Sequence, residues 1–301
     1  MEISDRVTIL RKGKKIKTLL TSEVDKRSLA RLTMGREVLF SVKKKEVEKG
    51  ELVLEVKGLC VLGDRGELAV KNVSFSIREG EILGVAGIGG SGQRELVEAL
   101  TGLRKVKSGR IILSGRDVTN SPPREFIDAR VAYIPEKRVE VGLIPTMSVK
   151  ENLILKNYRV LSGKLLLNLN AINQFAEEKI SQYNVVAPSL NTPAGALSGG
   201  NIQRLILARE ISCEPKLLIA AYPTYGLDVG SVEIIRKLLL GQRERKSAIL
   251  LISEDLDEII NMSDRIAVMY EGRLMGIVDA GKVTREEIGL MMTGLPLEKI
   301  H

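Results

Sequence analysis

Residues 82–100 hold three signals whose order leaves few folds open. Ile82-Leu-Gly-Val-Ala86 is a short, unbroken apolar run, the pattern of a strand buried on both faces of a parallel sheet. Gly87-Ile-Gly-Gly-Ser-Gly92 follows, and the spacing from Gly92 to Leu100 reads as a helix. Strand, glycine turn and helix make a phosphate-binding layout. The glycines let the backbone come close, and the first helical N–H groups point at an anion. Two positions depart from it. Gln93 stands where such a loop carries its lysine, and Arg94 where it carries Ser or Thr.

Composition narrows the class. With 301 residues, 44% of them apolar, the chain can bury one large core or two modest ones. No run of 18 apolar residues occurs, so no membrane-spanning helix is expected, and Met1-Glu-Ile-Ser-Asp-Arg6 does not read as a signal peptide. Cys60 and Cys213 lack metal or redox spacing and are expected as buried thiols. The one histidine is His301, which excludes any mechanism built on an interior imidazole. Of the net charge of +8, nearly all lies in residues 1–50, with 14 Lys and Arg against 7 Asp and Glu. That imbalance reads as a solvated, Lys-rich segment, the alternative being contact with an anionic surface such as phospholipid headgroups or RNA, and not as a global nucleic-acid surface.

An internal repeat sets the domain organisation. Ser4-Asp-Arg-Val-Thr-Ile-Leu10 returns as Ser263-Asp-Arg-Ile-Ala-Val-Met269, Gly13 as Gly272, and Met34-Gly35 as Thr293-Gly294. The offset is 259 each time (4 to 263, 13 to 272, 35 to 294), without gaps. Each copy reads as strand, glycine turn, strand and short amphipathic helix, the helices being Asp25–Met34 and Thr284–Met292. Residues 1–38 are therefore expected to be the end of a preceding copy of the domain. Residues 39–50 would be a linker with the charged core Lys43–Lys49, and 51–297 the full domain.

Within 51–297 the pattern alternates. Strands are expected at Glu51–Lys57, Ala69–Ile77, Ile82–Ala86, Ile111–Leu113, Val131–Ile134, Leu217–Ala221 and Ala248–Ile252. Helices are expected at Gly92–Leu100, Val149–Leu153, Ala171–Tyr183, Gly200–Ile211 and Val229–Leu240, with a loop at Pro188 and Pro193. This is an α/β sheet with a helical block inserted in the middle.

Leu197-Ser-Gly-Gly-Asn-Ile-Gln-Arg204 follows the glycine loop by about 105 residues and opens an amphipathic helix. Leu217-Leu-Ile-Ala-Ala-Tyr-Pro-Thr-Tyr-Gly-Leu-Asp228 and Leu250-Leu-Ile-Ser-Glu254 come next. In this order the segments resemble the nucleotide-binding domain of ABC transporters over nearly all of 51–297. The implied fold is a P-loop NTPase of ABC type: a RecA-like core, an antiparallel β subdomain and a helical subdomain at about 137–210. The signature with Asn201, the tandem layout, Ile134-Pro-Glu-Lys-Arg138 and Ala220–Asp228 look like the ATPases of bacterial simple-sugar and nucleoside importers. In those, the second cassette commonly departs from the ATPase consensus.

The resemblance assigns roles, and this chain departs from most catalytic ones. Gln93 and Arg94 replace the phosphate-bridging lysine and the Mg²⁺-binding hydroxyl. Ala221 replaces the Mg²⁺-holding Asp, Tyr222 the water-activating Glu, and Glu254 the switch histidine. No aromatic residue lies between Lys57 and Ser74 for adenine stacking. Gly87, Gly90, Ser91, Gly92, Gln93, Arg94 and Glu95 remain the candidate nucleotide loop. ATP is expected there only weakly, Mg²⁺ is doubtful, and no catalytic residue or other metal site is intact. Leu197, Ser198, Gly199, Gly200, Asn201 and Gln203 would complete the ATP site of a partner domain, and Glu136 and Asp228 would couple the domains. The implied partners are a preceding ABC domain, membrane permease subunits and, indirectly, a solute-binding protein. Nucleic acid is not expected. The implied place is the cytoplasmic face of the cell membrane, held peripherally, with the fragment itself soluble. The alternatives are a scaffold that binds no nucleotide and a cytosolic ABC-type protein acting on ribosomes or nucleic acid.

Overall fold

The computed structural model describes residues 4–11, 13–25, 28–29, 32–33, 44–159, 161–162 and 166–300. A hairpin comes first, β1 (Arg6–Arg11) and β2 (Lys14–Leu20). Next come β3 (Leu52–Leu62), β4 (Leu68–Arg78), β5 (Ile82–Gly87), α1 (Gln93–Leu100), β6 (Val106–Leu113), β7 (Arg116–Asp117), α2 (Pro123–Asp128) and β8 (Val131–Ile134). A π turn (Arg138–Gly142) leads to α3 (Val149–Ile154), α4 (Leu169–Gln182) and α5 (Gly199–Ile211). The chain then runs through β9 (Leu217–Ala221), α6 (Val229–Glu244), β10 (Ala248–Ile252), α7 (Leu256–Met262), β11 (Arg265–Tyr270), β12 (Arg273–Asp279) and α8 (Arg285–Met292).

Two sheets carry the main body. One has the order β12-β11-β5-β10-β9-β8, parallel except for the edge strand β12. The other is antiparallel, in the order β4-β3-β6-β7. The unbroken apolar runs of β5, β9 and β10 follow from burial on both faces. Ile82, Ala86, Leu218, Ala220, Ile249 and Leu251 point into a core shared with the helices. Leu83, Val85, Ile219, Leu250 and Ile252 point into a second core, against α1 and the antiparallel sheet. The period of two therefore splits each strand between two hydrophobic layers. Capping boxes start α3, where Ser148 and Glu151 exchange hydrogen bonds, and α8, where Thr284 and Glu287 do so. No helix among the described residues is long and apolar enough to cross a membrane.

The repeat extends to pairing geometry. In β1–β2, Arg6 faces Leu20, Val7 faces Leu19, Thr8 faces Thr18 and Ile9 faces Lys17, and a bulge falls between Ile9 and Leu10. In β11–β12, Arg265 faces Asp279, Ile266 faces Val278, Ala267 faces Ile277 and Val268 faces Gly276, with the bulge between Val268 and Met269. Every pair and the bulge are displaced by the repeat offset. The helix expected at Asp25–Met34 falls largely outside the described residues, as do Leu39–Lys43 of the expected linker.

Several expectations need correction. Lys44–Gly50 stays largely exposed, yet it is tied down: Lys44, Lys45 and Lys49 form ion pairs with Asp264, Glu244 and Glu81. Cys60 and Cys213 are half-buried, not buried. Cys60 accepts a hydrogen bond from the Asn72 N–H, and the Cys213 thiol donates to Asn157 Oδ1. Strand β3 continues past Lys57 because Gly58, at a φ of 57°, carries a register shift without breaking the ladder. Helices α2 and α7 were not expected. Each is under eight residues and too short to display a helical period.

Candidate functional site

The glycine loop leaves the C-terminal end of β5 and turns into α1. Gly90 and Gly92 have φ angles of 86° and 92°, a region open to glycine at little cost. A Cβ on Gly92 would collide with the Ala69 carbonyl, so the loop is pressed against the start of β4. Gly272, in the β11–β12 turn, meets the same carbonyl, and its N–H donates to Ser91 O at 3.1 Å. Gly13, its counterpart in the repeat, shares the positive φ (74° against 81°), but no atom of the described residues lies near where its Cβ would be. Ser91 is buried, and its N–H donates to Ile88 O at 3.1 Å.

The two side chains that open α1 are already engaged within the protein. Gln93 is 3% exposed, and its amide turns back toward Ile88 O at 3.4 Å. Arg94 lies outside the loop, paired with Asp64, with Glu95 Oε1 at 3.0 Å and with Glu98 Oε1 at 3.8 Å. Arg104 joins this cluster through Asp64 and Glu98, both at 2.6 Å. Hydrogen bonds from Arg104 and Arg94 hold the Asp64 carboxyl below the usual carboxylate range. The carboxylates account for the direction Arg94 takes: three of them compete for its charge.

The ends of β8, β9 and β10 meet the loop at the same sheet edge, where α/β sheets place their ligands. Ala221 closes β9 with a methyl group and is 5% exposed. Tyr222 follows at a φ of 49°, its N–H donating to Ile252 O at 2.8 Å. Burial first, then the charges of Glu136 and Glu254, push its phenol up to about 12. Glu136 and Glu254 are both exposed. Glu254 also approaches Gly89, with Oε1 3.7 Å from where a Cβ would stand. These residues do not fit Mg²⁺, since a methyl and a guanidinium hold the two positions that need oxygen ligands. Among the described residues there is no cluster of three or more His, Cys, Asp or Glu able to hold a metal.

The segment that resembles the signature opens helix α5 (Gly199–Ile211). Ser198 is the residue before α5, but its side chain caps no N–H. Its hydroxyl accepts from Asn201 Nδ2 at 3.0 Å instead. Asn201 Oδ1 in turn accepts from the Val186 N–H at 2.9 Å and from Arg204 at 2.7 Å. The first N–H groups of a 13-residue helix are thus left for an external acceptor. Gly200 is needed for packing: a Cβ there would fall 2.6 Å from Ser231 Oγ. Gln203 departs from expectation. It lies on the inward face of α5, fully buried, and both of its amide atoms lack partners among the described residues. It does not share the exposed face of Ser198 and Gly199.

Asp228 sits beside the signature as the N-cap of α6, accepting from the Ser231 N–H at 3.0 Å and from Ser231 Oγ at 2.7 Å. Burial raises its carboxyl, but these bonds outweigh that and hold it below the usual range. Three further groups at this edge escaped the sequence reading. Arg138 donates to the Tyr225 carbonyl and bridges the π turn to the segment before Asp228. Glu258, fully buried, accepts from Thr224 Oγ1 at 2.9 Å and from Arg236 Nε at 3.0 Å, which fixes the same segment from below. Glu210, also fully buried, accepts from the Tyr133 N–H at 2.9 Å and pairs with Lys156 and Arg209, tying the signature helix to β8. Arg138 closes the motif Ile134–Arg138 but was given no role there; Glu210 and Glu258 look in sequence like ordinary helical acids.

A glycine loop at the C-terminal edge of a parallel sheet, a flanking antiparallel sheet and helices inserted between β8 and β9 define a P-loop NTPase fold of the ABC ATPase kind. Solved structures agree. A nucleotide-free ATP-binding cassette from an ABC transporter superposes with a TM-score of 0.65 at 22% identity, over 83% of this chain and 98% of that one. A dimeric bacterial ABC transporter cassette gives 0.66 at 22% identity, over 75% and 98%. The chain belongs to the ABC transporter family, whose model matches residues 70–224. It is 44% identical to the guanosine import ATP-binding protein NupO of Bacillus subtilis (strain 168), over 97% of this chain and 58% of that protein. The ribose import ATP-binding protein RbsA of the same strain is 36% identical over the same shares. The glucose import ATP-binding protein TsgD13 of Haloferax volcanii is 44% identical, over 97% and 54%. The chain thus spans little more than half the length of these relatives.

Proposed function

We propose that this chain is the hydrolytically silent second cassette of an importer ATPase for simple sugars or nucleosides. It lends its signature helix to an ATP site held by a preceding cassette. The observation that carries this reading is a contrast within one molecule. The positions that would act on ATP hold an inward-turned amide, a displaced guanidinium, a methyl and a phenol. The N-terminus of α5 keeps its free N–H groups and its two glycines. ATP, when bound between two cassettes, supplies the triphosphate whose hydrolysis reopens them. This chain's part is to present Ser198, Gly199 and Gly200 to it, with Asn201 bracing Ser198 and Asp228 bracing the helix behind. A Tyr with a phenol at about 12 is no general base at neutral pH. Without lysine and Mg²⁺ ligands, most electrostatic stabilisation of phosphoryl transfer is missing as well.

The names of the relatives support import of a nucleoside or a sugar, and the helical block at about 137–210 is the candidate contact to membrane permease subunits fed by a solute-binding protein. On this reading the chain sits peripherally at the cytoplasmic face of the membrane. The pairing identity of β1–β2 with β11–β12 supports a preceding cassette whose last hairpin is residues 6–20.

The test is Ser198→Arg in a two-cassette protein carrying this chain as its second half. Loss of at least about 100-fold in ATPase rate is expected, the scale seen when a preorganised anion-stabilising donor is removed. A rate within twofold of wild type would sink the arrangement. A second reading, a scaffold binding no nucleotide, is favoured by the Gln93 amide filling its own loop. Titration of this chain with Mg-ATP separates the two: heat of binding at millimolar ATP excludes the scaffold.

A further inference from the structure

At the N-terminal edge of the large sheet, opposite the glycine loop, the chain lies along its own domain. Lys44 Nζ donates to the Ser263 carbonyl and pairs with Asp264 Oδ1 at 3.3 Å. Lys45 pairs with Glu244 at 2.9 Å, and its carbonyl accepts from Arg243 Nη1 at 2.7 Å. Val47 packs on Gly80, where a Cβ would come within 2.8 Å of it. The Glu48 carbonyl accepts from Lys246. Lys49 reaches Glu81 at 3.4 Å. The Gly50 N–H donates to Glu79 O at 3.0 Å, and the Glu79 N–H returns a bond to Glu51 O at 2.9 Å.

The receiving surface is built and not incidental. Arg243 is 4% exposed and holds Asp264 with two bonds, at 2.9 and 2.8 Å. Its third nitrogen, Nη1, donates to the Lys45 carbonyl, so the linker adds a bond to this ion pair. Glu81 is 1% exposed and already holds Arg265 at 2.6 Å, yet it also receives Lys49. Isolated surface pairs are worth little. Here three acids face three lysines of one segment, two of them shared with arginines, Arg243 buried and Arg265 half-buried, and the backbone zips closed at Gly50. A segment held this way is an element of the domain.

We infer that residues 44–50 form an ionic strap, docked in a groove between α6, the start of β11 and the turn before β5. The strap fixes where anything N-terminal to Lys44 can sit. The chain must leave beside Ser263 and Asp264, at the first residues of the last hairpin. If a cassette precedes, as proposed above, residues 44–50 of its linker are held on this domain. The docking itself does not depend on that reading.

Native-state trypsin cleavage after Lys49 reads the strap directly. The reference is a synthetic peptide of residues 39–54. At 50 mM NaCl, cleavage in the intact chain is expected to be about 10-fold or more slower than in the peptide, as for a segment that must open locally before it is cut. In 1 M NaCl, where screening shortens to about 3 Å, the difference shrinks. The double variant Lys44→Glu, Lys45→Glu places like charges against Asp264 and Glu244 while leaving Lys49 as the reporter. It is expected to be cut near the rate of its own matched peptide, with a single thermal transition showing an intact fold. Cleavage of the wild-type chain at the peptide rate overturns the inference, and so does a double variant cut no faster than wild type. Neither outcome involves ATP or a partner, so failure here leaves the proposed function standing, and the reverse holds too.

Discussion

Gln93 and Arg94 show how little a residue change alters the backbone and how much it alters chemistry. Both sit on the first turn of α1, in a loop whose glycines still place the chain for an anion. Their identities were legible in sequence; their directions were not. Nothing in the local pattern around Arg94 announces Asp64, which lies 30 residues away on another turn. Restoring a lysine should therefore restore little. Gln93→Lys puts back one charge-assisted donor, but Arg94 stays paired with Asp64, Ala221 offers no oxygen, and Tyr222 keeps its proton. Phosphate release from Mg-ATP by the purified variant is expected to stay at the level of a no-enzyme blank over several hours. Steady turnover above that level would mean that these positions do not set the chemistry. The buried acids Glu210 and Glu258 show the converse. Their roles depend on partners up to 77 residues distant, so no reading of neighbours could have supplied them.

At the scale of elements, much more was readable, because element type depends on local period. The central strands and the longer helices fall where the apolar pattern puts them, as the split of β5, β9 and β10 between two cores explains. What local pattern could not give was the docking of the linker, whose lysines look solvated until three acids from separate elements are brought beside them. The glycine loop is itself an element with a tight constraint, since Gly92 combines a positive φ with a carbonyl at the place a Cβ would fill. Gly92→Ala is expected to cost at least about 2 kcal/mol, from left-handed strain plus displacement of β4. The measurement is the urea midpoint at unchanged m-value. A shift corresponding to less than about 0.5 kcal/mol would show that the loop is held less firmly against Ala69 than its packing indicates.

At the scale of the whole molecule, the repeat bears on the proposal that the hairpin β1–β2 ends a preceding cassette. In the second copy, β11 is covered on one side by β12 and on the other by β5, in parallel register from Arg265 opposite Leu83 to Met269 opposite Gly87. In the first copy, β2 is the only strand paired with β1 among the described residues. Pairing and bulge are otherwise the same, so the open edge of β1 has the shape that takes an apolar parallel strand ending in a glycine loop. A slip of one residue would turn Val7 and Ile9 to the opposite face, so the register is specified. Alternate amides of β1 point away from β2 and, among the described residues, have no ladder partner on that side. In this chain the peptide covering residues 4–11 should therefore exchange part of its amide hydrogen within seconds. With a preceding cassette fused ahead of it, the same amides should slow by about 100-fold or more, the scale of a few kcal/mol of local stability. Equal exchange in the two proteins would mean that the hairpin is a free-standing ornament and that the repeat records ancestry without a partner.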